Sequence, residues 1–264
     1  DKNFIQGPNK AELISFELNT SDGENDSIKV EAKLNQNKLS GTNIPIVFSS
    51  TCATYGLPKK MPIEENCEQN PINPYGSTKF AVENLLNDIY KKSSGWKIAI
   101  LRYFNPIGAH PSGFIGENPL QKPNNIFPII INAAYEKVKL QVWGGDWPSH
   151  DGTCIRDYIH VQDLAEAHCY ALEYLLKNKP QILNLNIGSG VGTSVMQLVN
   201  TFIEQNNCEV PYKFVSRRIG DAPFIVADNN FAISVPKNEQ TSGESIYDIA
   251  QGYDSLMRYD VDGT

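Results

Sequence analysis

The chain has 264 residues, 41% of them hydrophobic and 20% charged, a composition that can bury a core of ordinary size and excludes a disordered polymer. Its net charge of −7 gives it no general attraction for nucleic acid or an anionic membrane, so an anionic ligand would need particular Arg and Lys side chains. There is no apolar run of bilayer-spanning length and no charged-then-apolar leader at the start, so a cytoplasmic location without a membrane partner is expected.

Residues 1–43 are polar, with a weak alternation from Ala11 to Leu18, a turn at Ser21-Asp22-Gly23 and no helix of convincing length. Ile44 to Phe48 is a short apolar run, read as a buried parallel strand, and a Pro-rich polar loop follows from Leu57 to Pro74. Tyr75 to about Lys92 reads as a helix, because Phe80, Val82, Leu85, Leu86 and Ile89 recur near the helical period behind Pro74. Ile98–Leu101 is a second buried strand, and Asn105 to Pro123 a long Gly- and Pro-containing loop. A helix from near Asn125 towards Glu136, a strand Leu140–Trp143, a helix Val161–Leu176, a strand Ile182–Ile187 and a helix Ser194–Glu204 complete the series. Strands alternating with helices predict an α/β fold with a parallel sheet.

The five cysteines (Cys52, Cys67, Cys154, Cys169 and Cys208) contain no C-x-x-C pair and are odd in number, which fits a reducing compartment better than a disulfide framework. The four histidines lack ligand spacing, so no metal site is expected. Gly188-Ser189-Gly190-Val191-Gly192 lacks the G-x-G-x-x-G spacing of a dinucleotide loop and is read as a turn.

Tyr75 and Lys79 stand at i and i+4, on one face of their helix. A nearby ammonium favours the phenolate, and a Tyr so tuned can take a proton from a sugar hydroxyl. Tyr55/Lys59 and Tyr135/Lys139 share the spacing and read as coincidences, the first broken by Pro58 and the second at a helix end. Upstream, the first strand ends in Ser49-Ser50-Thr51, where open α/β sheets bind ligands; the plainer reading is a hydroxyl cluster capping a turn. On the residues alone Arg156-Asp157 reads as an ion pair and Trp143 as core.

Longer segments carry a resemblance. Phe48-Ser49-Ser50-Thr51-Cys52-Ala53-Thr54-Tyr55-Gly56, Asn73-Pro74-Tyr75-Gly76-Ser77-Thr78-Lys79 and the run from Leu101 to Gly113 resemble, in order, segments of the UDP-glucose 4-epimerase family of extended short-chain dehydrogenase/reductases. Pro123–Ile126, Asp151–Val161, Asn186–Gly192 and Arg217–Asp221 continue the match, which covers about Ile44 to Asp228.

The resemblance implies a Rossmann-like doubly wound parallel sheet with a smaller α/β substrate-binding domain. Residues 1–103 and 151–189 would form the NAD-binding part, and 104–150 and 190–264 the UDP-sugar part. It implies NAD as cofactor, a UDP-sugar as substrate and a homodimer. UDP-glucose and UDP-galactose would interconvert by oxidation at C4, rotation of the keto sugar and re-reduction. Tyr75 would be the base, Lys79 would hold the cofactor ribose and tune Tyr75, and Thr51 would assist at the sugar hydroxyl. Ser49 and Phe104 would contact the cofactor. Asn105, Asn125, Ile126, Arg156, Arg218 and Asp221 would hold the UDP part, and Gln141, Val142 and Trp143 would surround the uridine. Ile225 would border the hexose. The guanidinium pairs suit a diphosphate in an acidic protein, and backbone N–H groups at the Asn125 helix start suit an anion.

The sequence also departs from the family. Residues 1–43 hold no Gly-rich pyrophosphate loop, and a parallel crossover does not fit between Thr42 and Ile44 although Asn37–Thr42 faintly resembles a later family segment. Either the segment is truncated or divergent, or residues are missing from the sequence there, which accounts better for the intact matches downstream. In the tail Ile233-Ser234-Val235-Pro236 replaces a hydrophobic anchor, and Ser245–Tyr259 is expected to form a last helix. Two alternatives stay open: an epimerase of another UDP-sugar (N-acetylhexosamine or uronate), and a non-catalytic UDP-sugar-binding module without NAD.

Overall fold

The computed structural model describes residues 44–228 except 118, 120, 121 and 219. The stretch 1–43, the expected break before Ile44, the Ile233–Pro236 departure and the helix expected at Ser245–Tyr259 lie outside the described residues. In chain order the elements are β1 (Ile46–Thr51), a 3₁₀ turn (Cys52–Tyr55), α1 (Pro74–Lys92), β2 (Lys97–Tyr103), β3 (Asn105–Ile107), α2 (Ile126–Glu136), β4 (Leu140–Trp143), β5 (Ile155–His160), α3 (Val161–Lys177), β6 (Gln181–Ile187), β7 (Gly192–Ser194), α4 (Val195–Asn206), β8 (Tyr212–Val215) and β9 (Phe224–Ile225).

The parallel sheet runs β1-β2-β6, with Ile46 opposite Ile98 and Lys97 opposite Gln181. Side chains alternate across it. Val47, Ala99, Leu101, Leu183, Leu185 and Ile187 pack with Leu164, Ala171 and Leu175 of α3 on one face. Ile46, Phe48, Ile98, Ile100 and Ile182 pack with Leu86 of α1 on the other. Both faces being covered explains why these strands read as near-continuous apolar runs.

The helices start where local chemistry dictates. Asn73 Oδ1 accepts from Gly76 N at 2.8 Å, Pro74 fills the first turn of α1, and Lys91 and Lys92 lie in its last turn. Ser194 Oγ accepts from Gln197 N at 3.0 Å to cap α4, and His160 Nδ1 accepts from Gln162 N at 3.2 Å to cap α3.

A second sheet is largely hidden in the sequence. β5 pairs in parallel with β3 and β9 and antiparallel with β7. β3 lies inside the stretch expected to be loop. A separate parallel pair, β4-β8, sits beside the core formed by Phe127, Ile130, Leu140, Val142, Leu198 and Phe202. The Leu57–Pro74 loop is anchored by Ile63, which is fully buried, donates to Val226 O and accepts from Asp228 N, both at 2.8 Å. Of the expected turn at 188–192, residues 188–191 form a bent loop and Gly192 opens β7; the buried Asp157 carboxylate organises the loop by accepting from Ser189 N and Oγ at 2.7 Å, Gly190 N at 3.0 Å and Ala227 N at 3.1 Å.

Candidate active site

The carboxyl end of β1 brings together four of the residues singled out in the sequence. Thr51 is buried there, and its Oγ1 accepts from Ala53 N at 3.2 Å, so it does cap the 3₁₀ turn. It lies close enough to the Tyr75 phenol to oppose the rise that burial causes in its pKa. Gly56 ends that turn at φ +66°, and a Cβ there would lie 1.9 Å from Asn70 O, so only glycine fits. Lys79 donates from Nζ to Ser49 O at 2.9 Å and lies over the Phe48 ring at 5.2 Å. Ser49 Oγ meets His168 Nε2 at 2.8 Å. Tyr103, opposite Thr51 in the β1–β2 register, completes the group.

Burial pushes the Tyr75 phenol above its ordinary value, Tyr103 adds to this, and Thr51 opposes it. The Lys79 ammonium stands 5.9 Å from the Tyr75 ring centre and is engaged by Ser49 O. Burial in turn lowers the Lys79 pKa. The helix face predicted from i and i+4 is present; the tuning contact is not formed.

The other two Tyr/Lys pairs behave as coincidences. Tyr55 is buried and donates to Asn186 Oδ1 at 2.7 Å, whereas Lys59 pairs with Glu68 on the surface. Tyr135 is exposed at the end of α2.

Behind Thr51, Arg102 and Glu83 form a buried ion pair, Nη2 to Oε2 at 2.7 Å. Ser50 Oγ and Gln69 Nε2 also donate to Glu83, and Arg102 Nη1 donates to Tyr55 Oη and Glu65 O, both at 2.9 Å. The network ties α1, β1, β2 and the loop after β1 together. Sequence reasoning missed it, since Glu83 and Arg102 look like ordinary surface charges in a one-dimensional pattern.

A second group lies around Asp221. Its carboxylate faces Arg156 Nη2 at 3.7 Å and accepts from Arg218 Nε and Nη2 at 3.3 Å. Arg156 Nη1 also donates to Ala222 O at 2.8 Å. The Arg156-Asp157 ion pair read from the residues alone is not formed: neighbours on a strand point to opposite faces, and Asp157 turns to the 188–191 loop. The Arg218 guanidinium sits 5.7 Å from the Trp143 ring centre, and Trp143 is 40% exposed rather than core. Lys122, Asn124, Lys139, Gln141, Trp143 and Arg218 line a cleft of about 360 Å³. Cys52 directly follows Thr51. Burial pushes its thiol up to about 12.

Several predicted contacts lie elsewhere. Val142 is 1% exposed and belongs to the core, so it offers a ligand only backbone. Asn125 caps α2 without a side-chain hydrogen bond and donates to Glu117; it lines a neighbouring apolar cleft of about 400 Å³ with Pro106, Gly108 and Val161. Ile126 packs partly against the core. Phe104 and Ile225 are buried together with Tyr55, Ile63, Ala222 and Ala227. Asn105 keeps a buried Oδ1 with no hydrogen-bond partner in the structure, as do Gln162, Asn184 and Asn206 among the described residues.

The model of the NAD dependent epimerase/dehydratase family matches residues 28–188, beginning upstream of the segment recognised in the sequence. The chain is 46% identical over 197 residues to the bifunctional protein gal10 of Schizosaccharomyces pombe, covering 72% of this chain and 28% of that protein. It is 41% identical over 243 residues to UDP-glucose 4-epimerase uge1 of the same yeast, covering 85% and 67%. The crystal structure of UDP-glucose-4-epimerase from Stenotrophomonas maltophila, with bound NAD and formylated UDP-arabinopyranose, aligns with a TM-score of 0.76 at 38% identity, covering 83% of this chain and 65% of that one. The chain thus spans from about a quarter to two thirds of the length of these relatives. Because the family model matches more than half of its length, this chain belongs to the NAD dependent epimerase/dehydratase family.

Proposed function

We propose that the chain carries the sugar-handling body of an NAD-dependent enzyme that interconverts UDP-glucose and UDP-galactose. The observation that carries this reading is the gathering of Thr51, Tyr75 and Lys79 at the end of β1, with the Asp221-held arginines as a second, cationic group. In this reading Thr51 and Tyr75 hold the sugar C4 hydroxyl, and Tyr75 takes its proton and returns it. NAD, when bound, supplies the acceptor and donor of the two electrons at C4. Asn105 Oδ1 accepts from a ligand donor, and Lys79 leaves Ser49 O to engage the cofactor ribose. Arg156 and Arg218 hold the diphosphate while Trp143 and Gln141 flank the uracil. Anchoring at the UDP end leaves the hexose free to turn. Ser49 and Phe104 support the cofactor side, and Ile225 borders the hexose through the cluster it shares with Phe104.

The two-part organisation belongs to the same proposal. Residues 1–103 and 151–189 serve the cofactor, with β1-β2-β6 as their sheet, and residues 104–150 and 190–264 serve the UDP-sugar, with β4-β8 as theirs. β5 is the seam, since its partners β3, β7 and β9 belong to the second set. We further read the enzyme as a cytoplasmic homodimer of galactose metabolism, its five cysteines being free thiols.

A second reading, a UDP-sugar-binding module without catalysis, is favoured by the engagement of Lys79 with Ser49 O. Incubating the purified chain with NAD and UDP-galactose, alongside a Tyr75→Phe control and UDP calorimetry, separates the two. UDP-glucose formation that the control lacks supports the epimerase. UDP binding without conversion at saturating NAD supports the module.

A further inference from the structure

Two consecutive arginines follow β8 and part company, and the ligand scheme above uses only the second. Arg218 reaches Asp221 and the Trp143 ring. Arg217 reaches the loop after β4, donating from Nε to Asp146 Oδ1 at 2.8 Å and from Nη2 to Asp146 O at 2.6 Å. Its guanidinium also lies 4.1 Å from the centre of the Trp147 ring. Trp147 is buried, and its indole Nε1 donates to Trp143 O at 3.1 Å. That carbonyl is one the two-stranded sheet leaves over. Leu140 N donates to Pro211 O and Gly144 N to Val215 O, both at 2.8 Å, so alternate residues of β4 turn their main chain to β8 and Trp143 turns its own away. Gly144 bends the chain at φ +79°, and a Cβ there would lie 2.3 Å from Trp147 Nε1, so a side chain at 144 would push the indole off the carbonyl.

We propose that Arg217 is a positioning residue for the nucleotide: by clasping Asp146 and stacking on Trp147, it holds the end of β4 so that the Trp143 ring stays beside Arg218 at the cleft. The proposal rests on UDP occupying that cleft, as argued above. A plainer account makes Arg217–Asp146 one more exposed ion pair, and such pairs contribute little to stability. Three features go beyond it. Two N–H groups of one guanidinium grip one residue, its plane covers a buried indole, and that indole holds the main chain of a residue that lines the cleft. Arg217 itself does not line the cleft, so its effect on a ligand passes through Trp143. The diphosphate half of the site is held separately, by Asp221 on Arg156 and Arg218. A lysine at 217 would keep the charge but neither the fork nor the stacking plane.

The test labels the three tryptophans with 5-fluorotryptophan and assigns their fluorine resonances with Trp96→Phe, Trp143→Phe and Trp147→Phe. In the unliganded protein Arg217→Met and Arg217→Lys are each expected to shift or broaden the Trp143 resonance along with that of Trp147, and to leave Trp96 unmoved. Calorimetry then compares UDP with inorganic pyrophosphate. Both variants are expected to lose about tenfold in UDP affinity and nothing in pyrophosphate affinity, and Arg217→Met is expected to cost nothing further once Trp143→Ala is in place. Trp147→Phe, which keeps a ring under the guanidinium but removes the N–H donor, is a second route to the same loss. An unmoved Trp143 resonance in Arg217→Met, wild-type UDP affinity in Arg217→Lys, or equal losses for UDP and pyrophosphate overturns the proposal. Wild-type protein that binds no UDP would instead count against the nucleotide reading, while the unliganded resonances still decide whether Arg217 holds Trp143.

Discussion

Lys79 Nζ stands 2.9 Å from the Ser49 carbonyl oxygen, and that contact, rather than one with the Tyr75 phenol, engages the ammonium. Lys79→Met should therefore leave the Tyr75 titration unchanged without ligands, while lowering turnover with NAD by roughly a hundredfold, the scale of a lost proton-transfer partner. Absorbance titration and single-substrate kinetics check the two halves. A Tyr75 midpoint that rises in the unliganded variant would show that Lys79 already reaches the phenol.

Glu83 and Arg102 are almost wholly buried and hold each other through three N–H···O contacts of 2.7 to 3.1 Å. Removing one partner leaves an unpaired charge in the core, so Glu83→Leu and Arg102→Met should each cost about 3–5 kcal/mol. The double variant should be less destabilised than the sum of the two. Urea denaturation of the four proteins measures the coupling, and strict additivity would show that the pair is not acting as a unit.

Asp221 holds Arg156 and Arg218 in one place. Arg218→Ala should weaken UDP binding about tenfold, equal to about 1.4 kcal/mol, and the loss should shrink as salt is added, because Arg218 is exposed. Calorimetry at two ionic strengths reads both effects. Unchanged affinity would place the diphosphate away from this cluster.

Gly188 has no room for a side chain. A Cβ there would lie 2.6 Å from Asp157 Oδ2 and 2.8 Å from the Ala227 Cβ. Gly188→Ala should displace the carboxylate from Ser189, Gly190 and Ala227 and cost about 1–3 kcal/mol. Gly95, where an added Cβ would meet nothing within 4 Å, is the control. Equal denaturation midpoints for Gly188→Ala and Gly95→Ala would refute the packing argument.

What could be read in the sequence followed from periodicity. The helices at 74–92, 126–136, 161–177 and 195–206 and the strands at 97–103, 140–143 and 181–187 announce themselves through apolar spacing and caps. β3, β7 and β9 are three residues long or fewer, so their pairing is set by distant partners rather than by local pattern. β5 carries Arg156, Asp157 and His160, which mask a strand in a hydropathy reading. At the site, Tyr75 and Lys79 are visible as a spacing, and Thr51 as a strand end. His168 is 119 residues from Ser49 in sequence, and nothing local marks it as that serine's partner. Strand alternation turns the Val142 side chain inward while its neighbours Gln141 and Trp143 face the cleft.

The alternation of the parallel sheet gives the Glu83–Arg102 pair a role in folding fidelity. Ser49 and Thr51 share one face with Tyr103, while Ser50 and Arg102 share the other with Glu83. If β1 slipped by one residue along β2, every side chain would change faces. Ser50 would leave Glu83 for the α3 side, and Thr51 would enter the buried charged network in its place. A misregistered sheet would thus strand a buried carboxylate while dismantling the hydroxyl pair beside Tyr75. The same alignment that keeps the charges together keeps Thr51 facing its tyrosine, so a chain that passes the electrostatic check of folding has also assembled its chemistry.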